Sequence, residues 1–232
     1  MVDTRASNMA ERRERILQAA CTIIAEKGVE GLTTRGLAAA ANVTAPTLYN
    51  LIGGKEDIIR ELINENVEEV WAELDFEAIE SPSDMADHII DTVYDQIMTD
   101  GAYVRATVIA SEEIPGAFAA RGDMGFAHGA AGQRSAEMAI TACRAALAKG
   151  MLQGTLSPEI LGLQMFISYR GPLRDWAHGV ISPQEMRRRQ LRGFYLVLAA
   201  DAAPDFRASL LGKLAALEED EATNRAACEG RG

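Results

Sequence analysis

Apolar residues recur along this chain at helical spacing. Between Arg12 and Lys27 they fall at Ile16, Leu17, Ala20, Ile23 and Ile24, one face of a 3.6-residue period. Gly28 follows, a residue that commonly terminates a helix. A short second helix is predicted next, capped by Thr33 or Thr34, with Leu37, Ala38 and Ala41 facing inward. Asn42 tolerates the left-handed backbone that a tight turn needs. Thr44 can cap a third helix reaching Ile52, with Leu48 and Ile52 on its core side. Pro46 falls in the first turn of that helix, where a missing N–H costs little. Gly53 and Gly54 close it, and Lys55 opens a long helix running to about Leu74.

Further along, three Ser-Pro pairs mark helix starts: Ser81-Pro82, Ser157-Pro158 and Ser182-Pro183. Glu185, three residues after Ser182, completes the pattern of a capping box. The pattern predicts helices near 83–99, 102–112, 123–149, 157–178, 183–201 and 204–218. Strand signals are weak, and nothing repeats at a fixed period. The stretch from Pro115 to Gly132 is rich in Gly and Ala, and reads as a loop with a weak helix start or as a gate over a cavity. The resulting expectation is an all-α chain, a three-helix N-terminal domain of helix-turn-helix spacing followed by a larger helical bundle.

Charge divides the chain in two. The net charge is −11 over 232 residues, with 23 basic and 34 acidic side chains. Residues 1–62 hold eight of each, so the whole excess of acid lies beyond residue 62. The overall acidity argues against non-specific nucleic-acid binding by the entire chain, and the uneven distribution points to two tasks. Cys21, Cys143 and Cys228 are odd in number and widely spaced, and His88, His128 and His178 are equally scattered. Neither a disulfide framework nor a metal-ligand spacing is expected. No cofactor is expected. No stretch approaches a membrane span, and the first residues lack the apolar core of a signal peptide, so the cytoplasm is the expected location. Enzyme signatures are absent: there is no His-Glu-x-x-His, no phosphate-binding glycine loop and no Gly-x-Ser-x-Gly.

Three short helices with a tight turn between the second and third have the spacing of a helix-turn-helix DNA reader. At the residue level, RERILQAACTIIAEKG, LTTRGLAAAANVT and APTLYNLIGGKEDIIREL resemble the DNA-binding region of the TetR family of bacterial transcriptional repressors. The resemblance covers about a fifth of the chain. It implies that Tyr49 and Lys55 grip phosphates, while Thr33, Thr34 and Thr44 sit at helix starts. Hydroxyls, amides and helix N-termini can supply backbone contacts where charge is scarce. Arg5, Arg12, Arg13 and Arg35 would add charge at the edges. Ala45, Pro46, Thr47 and Asn50 would face base edges, an apolar and amide set suited to thymine methyls and adenine. Arg35 is the one candidate for a guanine contact. Leu51 stands where the family usually has an aromatic residue or histidine, Ile52 where Phe is common and Asn42 where Gly is common, and Gly36 interrupts the second helix.

The resemblance also implies a second helical domain that dimerises and encloses a small effector. Helices near 157–178 and 183–201 match the family's interface pair, with Leu161, Met165, Ile167, Leu191, Phe194, Val197 and Leu198 as the apolar residues for it. Trp71, Tyr94, Met98, Tyr103, Phe126, Met138, Met165 and Tyr169 are candidates to line a mostly apolar pocket, each weighed against plain core packing. The Arg187-Arg188-Arg189 run with Arg192 is expected to pair across subunits or to be solvated. The expected organisation is a mobile arm over 1–11, a DNA-binding domain over 12–62, an effector and dimerisation domain over 63–218, and a frayed tail over 219–232. The expected function is a homodimeric repressor on a double-stranded operator, released by a small molecule. An activator, or a helical ligand-binding protein that has lost DNA binding, remains an alternative, with an enzyme of unrecognised site behind both.

Overall fold

The structure, a computed structural model, describes residues 4–73, 81–113, 119–120, 127–128 and 130–229, with side chains over 8–65, 81–112 and 136–220. The described residues form nine α-helices: α1 (Thr4–Lys27), α2 (Thr34–Ala40), α3 (Ala45–Leu51), α4 (Lys55–Glu73), α5 (Pro82–Glu113), α6 (Ala130–Ala148), α7 (Pro158–Ala177), α8 (Pro183–Ala199) and α9 (Pro204–Glu229). A 3-10 turn at Val29–Gly31 joins α1 to α2. Two-residue strands, β1 (Ala119–Ala120) and β2 (Ala127–His128), pair antiparallel with Ala119 opposite His128. The fold class is all-α, as the periodicity predicts.

Helix boundaries follow local chemistry. Thr33 caps α2, its Oγ1 accepting the Gly36 N–H at 3.1 Å. Ser81, Ser157 and Ser182 cap α5, α7 and α8 by accepting the N–H groups of Asp84, Ile160 and Glu185. The carboxylate of Glu185 turns to Arg188 and Arg189. Gly28 takes φ 67 beyond α1, with its N–H on the Ile24 carbonyl. Asp100 has φ −142 and ψ 61 within α5, and its Oδ1 accepts the Tyr103 N–H at 3.2 Å. That side-chain cap restarts the helix, which is why the pattern shows two helices where the chain has one broken one.

Several boundaries differ from expectation. Helix α1 begins at Thr4, so residues 4–11 of the expected arm are helical. Their polar sequence carries no apolar stripe, and periodicity therefore misses them. Helix α6 begins at Ala130 rather than near 123, and α9 continues to Glu229 through the stretch expected to fray. Most of the Pro115–Gly132 segment lies outside the described residues.

The chain divides into two units, Met1–Val70 with Gln96–Arg134, and Trp71–Asp95 with Ser135–Gly232. The first unit is built around Ile16, Leu17, Ala20 and Ile24 of α1, which pack with Leu37, Ala38, Leu48, Ile58, Ile59 and Leu62, all buried. Ala110 of α5 completes that core. The core of the second unit joins Ala86 and Ile90 to Cys143, Leu161, Met165, Leu191, Phe194, Leu198 and Leu210. Close helix approach there needs glycine: a Cβ on Gly162 would lie 2.5 Å from the Ile140 nitrogen. Buried beside Met165, with 3.8 Å between the sulfurs, the Cys143 thiol is pushed up to about 12 by burial. It is a packing group, not a nucleophile.

Candidate nucleic-acid interface

The buried Leu48 side chain sets the orientation of α3 by inserting into the core of the first unit. At 100° per residue, that leaves Pro46, Tyr49 and Asn50 outward, and these three and Ala45, at the first position of α3, are exposed. Thr44 is extended, at φ −87 and ψ 153, and caps α3 by accepting the Thr47 N–H at 3.3 Å. The hydroxyls of Thr44 and Thr47 lie 2.8 Å apart, so Thr47 is half-buried and partly engaged within the helix. Tyr49 is 56 % exposed, a large fraction for an aromatic ring in a packed domain. Ile52 is half-buried and packs against the core as the residue ending α3.

Gly53 takes φ 124, and a Cβ there would fall 2.3 Å from Asp57 Oδ2. The same Asp57 oxygen accepts the Gly54 N–H at 2.9 Å, so α4 carries its own anionic cap. This capping residue is one that the sequence reasoning passed over, although a carboxylate three residues after a glycine at a helix mouth is the signal for it. Its effect is local: the first turn of α4 already holds two acidic side chains, Glu56 and Asp57. Lys55 is half-buried at that mouth, and among the described residues it has no ion-pair partner.

The remaining cations divide sharply. Arg13 is tied to Glu61 in an ion pair between α1 and α4. Arg60 lies 3.6 Å from Glu56 and 3.5 Å from Asp57. Arg12 and Arg35 are exposed, and the Arg5 side chain lies outside the described residues. Arg13, expected as an edge charge, is therefore engaged within the unit. Thr33 is exposed at the α2 cap and Thr34 half-buried beside it. The surface so formed is nearly neutral, rich in hydroxyl and amide groups, and carried on the short helix α3.

In the second unit the expected interface residues are mostly core. Leu161, Met165, Leu191, Phe194 and Leu198 are buried within the single chain, which corrects their expected role as contacts for a partner. Only Ile167, 46 % exposed, and the half-buried Val197 reach the surface. They are joined by Ile160 on α7 and Leu196 on α8, 52 % and 55 % exposed, which the sequence reasoning did not single out. The reason is geometric, since two apolar faces on one helix cannot be ranked by periodicity alone.

The expected pocket residues also separate. Met138 and Met165 are buried in packed core, and Tyr94 and Tyr169 are half-buried in the second unit. Burial pushes the Tyr169 hydroxyl well above its ordinary range. Met98 is 59 % exposed on the first unit, which argues against a lining role, and Tyr103 of that unit is half-buried. Phe126 and the side chain of Trp71 lie outside the described residues. The arginine run pairs inside the chain: Arg187 with Asp91 at 2.6 Å, Arg188 and Arg189 with Glu185, and Arg192 with Glu218 at 3.0 Å. No group of three or more metal-ligating side chains comes together among the described residues.

Residues 16–62 match the family model described as bacterial regulatory proteins, tetR family. No curated protein matches the chain. Solved structures do. SmeT, the repressor of the Stenotrophomonas maltophilia multidrug efflux pump SmeDEF, is 19 % identical with a TM-score of 0.62, covering 84 % of this chain and 92 % of SmeT. Full-length native TylP, a TetR regulator from Streptomyces fradiae, is 20 % identical with a TM-score of 0.59, covering 91 % and 97 %. FadR from Bacillus halodurans, a fatty acid degradation regulator, is 14 % identical with a TM-score of 0.57, covering 81 % and 94 %. At such identities these likenesses speak to fold. The family match lies on residues 16–62, the helices that present Tyr49 and Lys55, and the solved structures share the all-α fold of this chain.

Proposed function

We propose that the protein is a transcriptional repressor that binds a two-fold symmetric operator as a cytoplasmic homodimer and leaves it when a small, mostly apolar molecule binds. The observation that carries this reading is the outward face of α3, where Tyr49, Asn50, Ala45 and Pro46 stand exposed above a helix pinned by Leu48. Tyr49 donates to phosphate and Lys55 adds charge, with Thr33, Thr34, Thr44 and Arg35 at the margins. Ala45, Pro46, Thr47 and Asn50 read bases in a short A/T-containing half-site. On this reading 12–62 serve DNA and the helices of 63–218 serve effector and partner.

Repression rather than activation is favoured by SmeT, described as a repressor. A partner copy is favoured by Ile160, Ile167 and Leu196, apolar side chains left in solvent on α7 and α8. Two recognition helices must reach major grooves about 34–36 Å apart, so a small change in their spacing prevents simultaneous docking. An effector that binds the undocked state better releases the DNA, and by linkage DNA weakens the effector equally.

The test is selection from a random DNA library at low salt, where phosphate contacts are strongest. The purified protein is run beside a Tyr49→Phe, Lys55→Ala double variant. A symmetric site enriched by the first and lost by the second is the expected outcome. Each half-site then loses one phosphate hydrogen bond and one charge, and affinity falls on the order of tenfold or more. No enrichment at all would overturn the operator reading. It would favour a ligand-binding protein, a reading to which the internal pairing of Arg13 and Arg60 gives some weight.

A further inference from the structure

Gln190 of α8 is a fully buried polar side chain. Met186 and Phe194, one turn before and one turn after it on the same helix face, are buried as well. The Gln190 Nε2 donates to the Tyr169 carbonyl of α7 at 3.0 Å. A carbonyl only accepts, so that end of the side-chain amide must be nitrogen and the other end oxygen. Two features bring the helices together at this place. A Cβ on Gly193 would fall 2.8 Å from the Ser168 Cβ, so α8 lies directly against α7 there. Pro172, inside α7, has no N–H to give the Ser168 carbonyl, which interrupts regular helix bonding beside Tyr169. The result is an amide held in one orientation, and its Oε1 is buried with no hydrogen-bond partner among the described residues.

A buried acceptor without a donor is costly, and native cores leave few of them. Whatever answers Oε1 must bring an N–H or an O–H. The surroundings limit the rest of it. Tyr169, half-buried, packs against a core that includes Met165, Leu191 and Phe194, which suits an apolar body. Asp201 is the one charged side chain buried among the described residues, and its carboxylate already accepts three backbone N–H groups. No buried counter-ion is at hand for an ammonium or a carboxylate, so desolvation disfavours both. A carboxylate, an ester, an ether or a ketone also lacks the donor. We propose that Gln190 is the polar determinant of the effector site, its Oε1 accepting from the hydroxyl or N–H of an uncharged, otherwise apolar molecule seated beside Tyr169. The proposal rests on the reading that the helices beyond residue 62 hold an effector, and it is independent of whether the chain binds DNA.

The experiment uses the full chain and two matched pairs of probes, n-decanol with its methyl ether and β-naphthol with its methyl ether. Methylation removes the donor and keeps the apolar body. Binding is read by titration calorimetry and by the rise in unfolding midpoint, since a ligand of the native state stabilises it. The donor-bearing member of at least one pair is expected to bind roughly tenfold more tightly than its ether, as one hydrogen bond implies. Gln190→Met, close in volume and without the acceptor, is expected to bind both members equally. In the unsubstituted chain carrying isotope-labelled glutamine, the alcohol is expected to shift the Gln190 carbonyl carbon resonance and the ether to leave it in place. That readout decides the matter even where Gln190→Met does not fold. Equal binding within both pairs, or a donor preference that survives in Gln190→Met, overturns the role of Gln190 and leaves the effector reading standing. The amide then only ties α8 to α7, with water on its oxygen. No binding by any of the four probes overturns both, the small apolar effector as well as its donor.

Discussion

Asn42 shows how much one residue can settle. It sits at φ 53, the one non-glycine with positive φ among the described residues, in the turn between α2 and α3. Asparagine tolerates this region because its short amide can bond locally, whereas a β-branched side chain meets its own backbone. Asn42→Gly is expected to leave stability within a few tenths of a kcal/mol, and Asn42→Val to cost on the order of 1–2 kcal/mol. The denaturant midpoint at constant slope measures both, and equal midpoints for the two variants would show that the turn has relaxed. At this scale the sequence was largely readable. The caps at Thr33, Thr44, Ser157 and Ser182 stand where residue chemistry puts them. Arg13 was not readable as a phosphate ligand or otherwise, because its partner Glu61 is 48 residues away.

Between elements, Asp201 is the strongest single tie. It is buried at the end of α8, and its carboxylate accepts the N–H groups of Gly154, Thr155 and Leu156 at 2.9, 2.9 and 3.2 Å. The Gln153 amide and a bridge between Leu152 and Ala202 extend the seam. These bonds hold the α6–α7 connection against the α8–α9 turn, a place where no helix supplies partners for the backbone. Asp201→Ala leaves three part-buried backbone donors without their acceptor and is expected to cost on the order of 1–3 kcal/mol, seen as a lowered unfolding midpoint. Asp201→Asn keeps one acceptor and should fall between. A neutral Asp201→Ala would mean that water replaces the carboxylate. Periodicity could not reveal this tie, since it describes helices and is silent on what loops bond to.

Across the whole molecule, α5, α8 and α9 are joined by a polar cluster from three distant parts of the chain. Lys213 lies 3.1 Å from Asp84 and 2.7 Å from Asp87, and its ammonium sits 5.4 Å from the centre of the Tyr195 ring. The Tyr195 hydroxyl donates to Asp87, and Arg187 pairs with Asp91. Partial burial alone would raise the Asp84 carboxyl, but the Ser81 hydroxyl and the Lys213 ammonium outweigh it and hold it below the ordinary value. A carboxylate depressed in the native state stabilises the fold above its unfolded pKa, near 4, and loses that contribution as pH falls through the native value. Stability is therefore expected to drop with acid below about pH 4, with Lys213→Met flattening part of that dependence. Unfolding curves of the two proteins measured from pH 6 to 3 test this, and parallel curves would assign the acid sensitivity elsewhere. The contribution is modest, since Asp84 is more than half exposed and solvent screens the pair.

The sequence by itself determined the all-α class, the helix order, most of the caps and the residues that α3 shows to solvent. These follow from interactions within a few residues: apolar spacing, hydroxyls before helix starts, glycine after helix ends. The family resemblance over residues 13–62 was legible for the same reason, since a short motif is read locally. What only the tertiary structure decided is which apolar face of α7 and α8 is consumed by the chain's own core, leaving Ile160, Ile167 and Leu196 outside. It also decided which arginines are already paired, and that the second part of α5 joins the core of the first unit. Each of these depends on residues brought together from far along the chain. Local spacing says that a face is buried or a charge is present, but the partner that buries or neutralises it is chosen by packing.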